Sequence, residues 1–132
     1  MLMQGIHNLG HQYWTVVDPV LTDTGKEQCW RLKNDFPYHS RVELVLSSPL
    51  RRAIETAVYG FSPAFEDHPG LQLIPLPNAQ EISNLHCDTG SSPDFLKKDL
   101  QGLGVDIDWS FVHEGWNNKV GMAWFCSGQY AR

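Results

Sequence analysis

The chain has 132 residues, of which 42% are hydrophobic and 19% charged, and these values suit one globular domain with a buried core. The formal net charge is -5 and no block of lysine or arginine occurs, which argues against a surface for nucleic acid or for an anionic membrane. No apolar run approaches the roughly 20 residues that span a bilayer, and the N-terminus lacks a signal-peptide pattern. The three cysteines have no close pairing, which favours a reducing compartment, so we expect a cytoplasmic protein.

The first predicted element is a helix that follows residues 21–24 and ends before Pro37. Thr22 or Thr24 can cap this helix, and Thr24 with Glu27 has the spacing of a capping box. An apolar stripe recurs at helical spacing along it, formed by Gly25, Cys29, Leu32 and Phe36.

The next two elements form a strand and a second helix. Residues 42–46 are mostly apolar and predict a short strand buried on both faces, as in a parallel sheet. A turn at residues 47–50 leads into a helix over residues 51–59, with Gly60 past its end. The order of helix, buried strand and helix predicts an α/β fold.

The second half of the chain gives weaker signals. Residues 61–70 are predicted as a loop, and residues 71–76 as a strand that Pro75 and Pro77 make short or place at an edge. A further helix is predicted to start at Ser92 and to stop near Gly102 or Gly104. Two or three strands are too few for a parallel sheet covered on both faces, so we expect the chain to lack part of its parent domain.

Residues 44–57 carry the clearest chemical signal, because a buried strand runs into a Ser-Ser-Pro turn and a helix that opens with Arg51 and Arg52. The start of a helix offers unpaired N–H groups and the positive end of the helix dipole, a combination that suits phosphate. An arginine there adds a planar fork that grips two phosphate oxygens. The alternative is a solvated basic turn, which is mildly unfavourable at this end of a helix without an anion.

The run at residues 48–57, Ser-Pro-Leu-Arg-Arg-Ala-Ile-Glu-Thr-Ala, resembles the S-P-L-x-R-A-x-x-T-A signature of the histidine phosphatase superfamily, which includes phosphoglycerate mutase-like proteins. Three more segments resemble motifs of a mutase-like branch in the same order. They are Gln-Gly-Ile-His-Asn at residues 4–8, Asp-Pro-Val-Leu-Thr with the following Gly at residues 18–25, and Gln-Glu-Ile with Cys-Asp-Thr-Gly within residues 80–90. The resemblance covers residues 4–118.

This resemblance implies a three-layer α/β/α sandwich with a mainly parallel sheet, present here as a single partial domain over residues 1–132. It implies phosphomonoester hydrolysis or phosphoryl transfer on a small phosphorylated metabolite, without a metal or other cofactor. Arg52 matches the arginine that binds the phosphoryl group, whereas Arg51 stands at a variable position and is a weaker candidate. Asn8 matches an asparagine that lines the phosphate pocket. Glu81 matches the acid/base glutamate, although as a loop residue it also suits the role of a solvated carboxylate.

The departures from the family pattern concern the chemistry itself. Met1, Leu2 and Met3 stand where the family has Arg-His-Ala, so the nucleophilic histidine is absent, and the family's second histidine has no match. Residues after Asn118 do not resemble the family's continuation. We therefore expect a form truncated at both ends and catalytically impaired, with a sheet edge left open to self-association.

Other functions remain as alternatives. The first is a non-catalytic module, a pseudophosphatase that binds inorganic phosphate or another protein. A metal site at residues 86–88 (His-Cys-Asp) is disfavoured, because adjacent side chains rarely point at one ion. A serine hydrolase is disfavoured as well, since Ser47 and Ser48 lie in no Gly-x-Ser-x-Gly elbow.

Overall fold

The structure is a computed structural model that describes residues 15–119 of the chain. Within this range lie four α-helices and two β-strands, joined by loops and short 3-10 turns. In chain order they are α1 (Asp23–Asp35), β1 (Val45–Ser47), α2 (Arg51–Gly60), α3 (Ser62–Asp67), β2 (Leu73–Pro75) and α4 (Pro93–Leu100).

The two strands are parallel, as expected for an α/β fold. Val45 pairs with Leu73, and Ser47 pairs with Pro75. On its other side Leu73 forms a parallel bridge with Ile107, so β2 is flanked on both sides in the described part of the chain. The strand is short, as its prolines predicted, but it is not at an edge. Pro75 is tolerated because it ends the strand, and the next N–H, that of Leu76, donates to the Ser47 carbonyl at 2.8 Å.

The prediction that the first strand is buried on both faces is wrong for the described residues. Val45 is 5% exposed, whereas its neighbours Leu44 and Leu46 are 56% and 50% exposed. Successive side chains of a strand point to opposite faces of the sheet. One face of β1 therefore packs into the core, while no residue of the described range covers the other.

Helix α1 follows its local signals closely. Thr22, and not Thr24, is the cap, since its Oγ1 accepts a hydrogen bond from the Gly25 N–H at 3.0 Å. The helix ends at Asp35, shortly before Pro37. The predicted apolar stripe is only partly buried: Gly25 and Cys29 face the core, but Leu32 is 38% exposed.

Residues 61–70, predicted as a loop, contain the helix α3. Pro63 in its first turn has the backbone torsion that a helix start requires, and Ala64 is fully buried. The short helix is thus held by packing of Ala64 rather than by an apolar period long enough to detect in the sequence.

Helix α4 begins where the sequence predicted. The Ser92 side chain accepts a hydrogen bond from the Phe95 N–H at 3.4 Å, and Pro93 is the first helical residue. The helix ends at Leu100, and a 3-10 turn continues to Gly104, whose φ of 74° lies in the left-handed region that glycine adopts at low cost.

A single apolar cluster joins α2 to both strands and to α4. Its buried members come from each of these elements and include Val45, Ile54, Leu73 and Leu96. Packing of this kind fixes the position of the first turn of α2 relative to the ends of the strands.

Between residues 15 and 119, no helix has the length and apolar character needed to cross a membrane.

Candidate functional site

The turn before α2 is organised by short side chains and by a distant carboxylate. The Ser48 hydroxyl accepts the N–H of Leu50 at 3.3 Å. The N–H of Arg51, the first of the helix, donates to Asp18 Oδ1 at 2.9 Å. The N-cap residue, Leu50, has no side-chain acceptor for these N–H groups. Asp18, which lies 33 positions before Arg51, therefore caps the helix instead.

Asp18 joins three segments of the chain. Its carboxylate is 0% exposed, and its Oδ2 accepts the Ser91 N–H at 3.1 Å and the Ser91 hydroxyl at 2.7 Å. Its backbone carbonyl accepts the Arg51 Nε–H at 2.8 Å. Its φ is 46°, which aspartate tolerates better than most residues. Sequence reasoning recognised this aspartate as part of a helix-start motif but assigned it no role.

Arg51, the weaker of the two arginine candidates, binds side chains and backbone of the chain itself. Besides its bond to the Asp18 carbonyl, its Nη1 lies 3.1 Å from Asp99 Oδ2. Its guanidinium also stacks over the ring of Phe95, 5.5 Å from the ring centroid. These contacts give Arg51 a structural role in joining α2 to α4.

Arg52, the stronger candidate, points to a different segment. Its Nη2 lies 2.8 Å from Asp88 Oδ1, and its Nη1 donates to the Cys87 carbonyl. The side chains of Arg52 and Asp88 are 16% and 8% exposed. The Thr56 hydroxyl donates to the Arg52 carbonyl at 2.7 Å, within the same helix. The two arginines of the signature thus bind different partners, Arg51 at Asp18 and Asp99 and Arg52 at Cys87 and Asp88.

Glu81 lies in the loop that leads to Cys87 and Asp88, and it is exposed. In the described part of the chain its carboxylate pairs with neither arginine. Its backbone carbonyl instead accepts a hydrogen bond from Lys119 Nζ at 2.5 Å. The other sequence candidate, Asn8, lies outside the described residues.

Lys119 was not singled out by sequence reasoning, because it follows every recognised motif. Its ammonium also donates to the Ser83 carbonyl at 2.6 Å and to the Asp88 carbonyl. Burial lowers the pKa of Lys119 below its ordinary value, and the nearby Arg52 cation acts in the same direction. The carboxylates of Asp88 and Glu81 oppose this shift.

Cys87 is the remaining side chain of chemical interest beside Arg52. It is 4% exposed, and burial, followed by the Asp88 carboxylate, raises the pKa of its thiol. A buried thiol with a raised pKa is a poor nucleophile. Across residues 15–119, no group of three or more His, Cys, Asp and Glu side chains is arranged to hold a metal ion.

Comparison with known proteins identifies the family of the chain. Residues 5–101 match the family model described as histidine phosphatase superfamily (branch 1). A probable phosphatase of Schizosaccharomyces pombe is 36% identical over 99 residues, which cover 74% of this chain and 43% of that protein. The chain therefore spans less than half the length of this relative. No solved structure matches significantly. On the evidence of its α/β elements and of this family match, the chain belongs to the histidine phosphatase superfamily.

Proposed function

We propose that Arg52 binds the phosphoryl group of a small phosphate ester, or inorganic phosphate, at the start of α2. The observation that carries the proposal is the position of Arg52. Its guanidinium is largely buried in the first turn of a helix that follows a parallel strand, beside the segment that contains Glu81. In α/β proteins, ligands bind beyond the carboxyl ends of parallel strands, which is where this turn lies.

Arg52 retains donors for such a ligand. A guanidinium has five N–H groups, and its contacts with Cys87 and Asp88 use Nη1 and Nη2 once each. The remaining groups suit a phosphate, which accepts paired hydrogen bonds from one arginine. Glu81 is proposed as the acid/base residue and Asn8 as a further pocket residue, both on the family resemblance.

The same proposal includes impaired catalysis. The family reaction requires a histidine that attacks phosphorus, and Met1, Leu2 and Met3 occupy the matching positions. Removal of a nucleophile generally abolishes most of the rate enhancement. We expect negligible hydrolysis of an aryl phosphate by this chain and no acid-labile phosphohistidine. Turnover comparable to that of intact relatives, abolished by Arg52→Ala, would contradict this expectation.

A non-catalytic phosphate-binding or protein-interaction module is the second candidate. It is favoured by the same geometry, because Arg52 and its surroundings do not depend on the histidine. A chain that binds phosphate through Arg52 yet lacks turnover supports this second candidate.

The test is a titration with inorganic phosphate followed by NMR. The wild type is expected to bind with a Kd in the millimolar range or weaker, roughly -4 kcal/mol. Arg52→Ala should lose most of this binding, whereas Arg51→Ala should lose less if it remains folded. The control is Arg31→Ala, which removes an equally charged but exposed side chain that pairs with Glu27 on α1. Equal binding by all four proteins would contradict the proposal.

We further propose that the chain is cytoplasmic and self-associates through the uncovered face of β1. The free, buried thiols of Cys29 and Cys87 fit a reducing compartment. The exposed Leu44 and Leu46 lie on one face of the strand, and apolar surface of this kind favours association.

A further inference from the structure

Lys119 makes an unusual set of contacts for a lysine at the edge of a protein surface. Its Nζ lies 2.5 Å from the Glu81 carbonyl oxygen and 2.6 Å from that of Ser83, and it also donates to the Asp88 carbonyl. An ammonium group has three donors and no acceptor, so all of its hydrogen bonds go to the backbone of one segment. No carboxylate side chain takes part in these bonds.

The segment over residues 81–88 depends on such outside donors. It contains one 3-10 turn, His86–Asp88, and is otherwise irregular. Carbonyl groups of irregular backbone have no helix or sheet ladder to satisfy them, so they require side chains or water. One ammonium that binds the carbonyls of residues 81, 83 and 88 closes this segment into a compact loop.

The same segment is the partner of Arg52. The Arg52 guanidinium binds the Cys87 carbonyl and the Asp88 carboxylate, so Arg52 and Lys119 contact Asp88 through different atoms. Arg52 and Lys119 therefore hold the same residue, Arg52 through the Asp88 carboxylate and Lys119 through the Asp88 carbonyl. Fixing residues 81–88 also fixes the backbone from which the Glu81 side chain extends.

We infer that Lys119 is a positioning residue for the phosphate site: it holds residues 81–88 in the conformation that Arg52 needs to bind an anion. The inference rests on the proposed function of Arg52. Lys119 acts through the loop backbone, without a direct contact to the ligand being required.

The experiment measures inorganic phosphate affinity and amide hydrogen exchange in the same proteins. Lys119→Met keeps the aliphatic stem but removes the charge and all three donors. It is expected to raise the phosphate Kd about tenfold, which corresponds to about 1.4 kcal/mol. It should also accelerate exchange in the segment over residues 83–89. The matched control is Lys98→Met, which removes an exposed lysine of α4 and should leave both readouts unchanged.

Repeating the measurement in the Arg52→Ala background separates positioning from general destabilisation. If Lys119 acts on the site through Arg52, its replacement adds no further loss of phosphate affinity there. An unchanged Kd for Lys119→Met, or an equal loss in both backgrounds, overturns the inference. Wild-type affinity in Arg52→Ala alone, or no phosphate binding by the wild type, overturns the proposed function instead and the inference with it.

Lys119→Arg is the second test variant, to be used if Lys119→Met does not fold. Arginine keeps the charge, but its guanidinium is planar and its donors are spread apart. It therefore cannot satisfy the three carbonyls that the compact lysine ammonium binds. Faster exchange of residues 83–89 with weaker phosphate binding supports the inference. Wild-type phosphate affinity despite faster exchange overturns it.

Discussion

Asp18 Oδ1 lies 2.9 Å from the backbone nitrogen of Arg51, so this buried carboxylate accepts the hydrogen bond of the first N–H group of α2. This relationship changes the expected anion site. The sequence predicted that the helix N–H groups and an arginine would bind phosphate together. With the Arg51 N–H already satisfied, the proposed anion binding depends chiefly on the Arg52 side chain.

Asp18→Asn should destabilise the chain by about 3 kcal/mol, because a buried carboxylate that accepts three hydrogen bonds is replaced by a neutral amide. Asparagine tolerates the positive φ of this position, so the substitution isolates the loss of charge. Its amide group would place a donor among the N–H groups of Arg51 and Ser91. Urea unfolding measures the effect. Asp23→Asn, at an exposed site on α1, is the control, and an equally small loss in both variants would refute the prediction.

Asp88→Asn should have opposite effects on phosphate affinity and on stability. Replacing the carboxylate by a neutral amide weakens its hydrogen bond with Arg52 Nη2 and abolishes repulsion of the incoming anion, so the phosphate Kd should fall by up to about tenfold. Stability should decrease by about 1–2 kcal/mol, because a largely buried charge-assisted hydrogen bond is lost. Phosphate titration and urea unfolding of the same sample test both effects. A higher Kd would show that Asp88 orients Arg52 rather than competing with phosphate.

Gly90→Ala should cost about 2 kcal/mol of stability, as overpacking in a core usually does. A Cβ at this position would lie 2.1 Å from Cη2 of Trp116, a distance that forces the indole to move. Trp116 would then lose the hydrogen bond that its Nε1 donates to the Ser91 carbonyl at 3.0 Å. Gly70→Ala is the matched control, since its Cβ would meet no atom within 4 Å. Similar melting temperatures for the two variants would contradict the prediction.

The stability of the chain should fall in alkaline solution partly because of Cys29. Burial raises the pKa of its thiol above the ordinary 9.0, although a hydrogen bond with Thr56 acts in the opposite direction. The unfolded chain therefore releases this proton first, and the contribution of Cys29 is lost as the pH rises from about 9 through its folded-state pKa. Urea unfolding across this range should show a steeper decline for the wild type than for Cys29→Ala. Parallel declines would exclude a contribution from Cys29.

Leu46→Lys should reduce self-association of the chain. The substitution places a charge on the uncovered face of β1, where Leu46 is 50% exposed, and burying an unpaired charge against a second copy of the chain is unfavourable. Analytical ultracentrifugation over a range of concentrations measures the change in apparent mass. Ile82→Lys, which alters an exposed apolar side chain far along the chain, is the control. Unchanged association in Leu46→Lys would exclude this face.

The sequence alone determined the features that depend on neighbouring backbone atoms. A cap at Thr22 or Thr24, the start of α4 at Ser92 and a helix stop near Gly102 or Gly104 all act over one turn of chain, so local residue types suffice to predict them. The structure selects Thr22 and Gly104 from these alternatives. The family motif likewise identified Arg52 as a candidate. The short helix α3 escaped detection because a six-residue segment carries too little periodicity.

Only the tertiary structure decided the partners of the candidate site. Asp18 and Arg51 are 33 positions apart, Arg52 and Asp88 are 36 apart, and Lys119 and Asp88 are 31 apart. Pairs at such separations meet only because the core packs α2, the strands and the loops into one arrangement. The sequence pattern cannot encode them locally, since a hydrogen bond between distant segments forms only after packing has offset the entropy of ordering both.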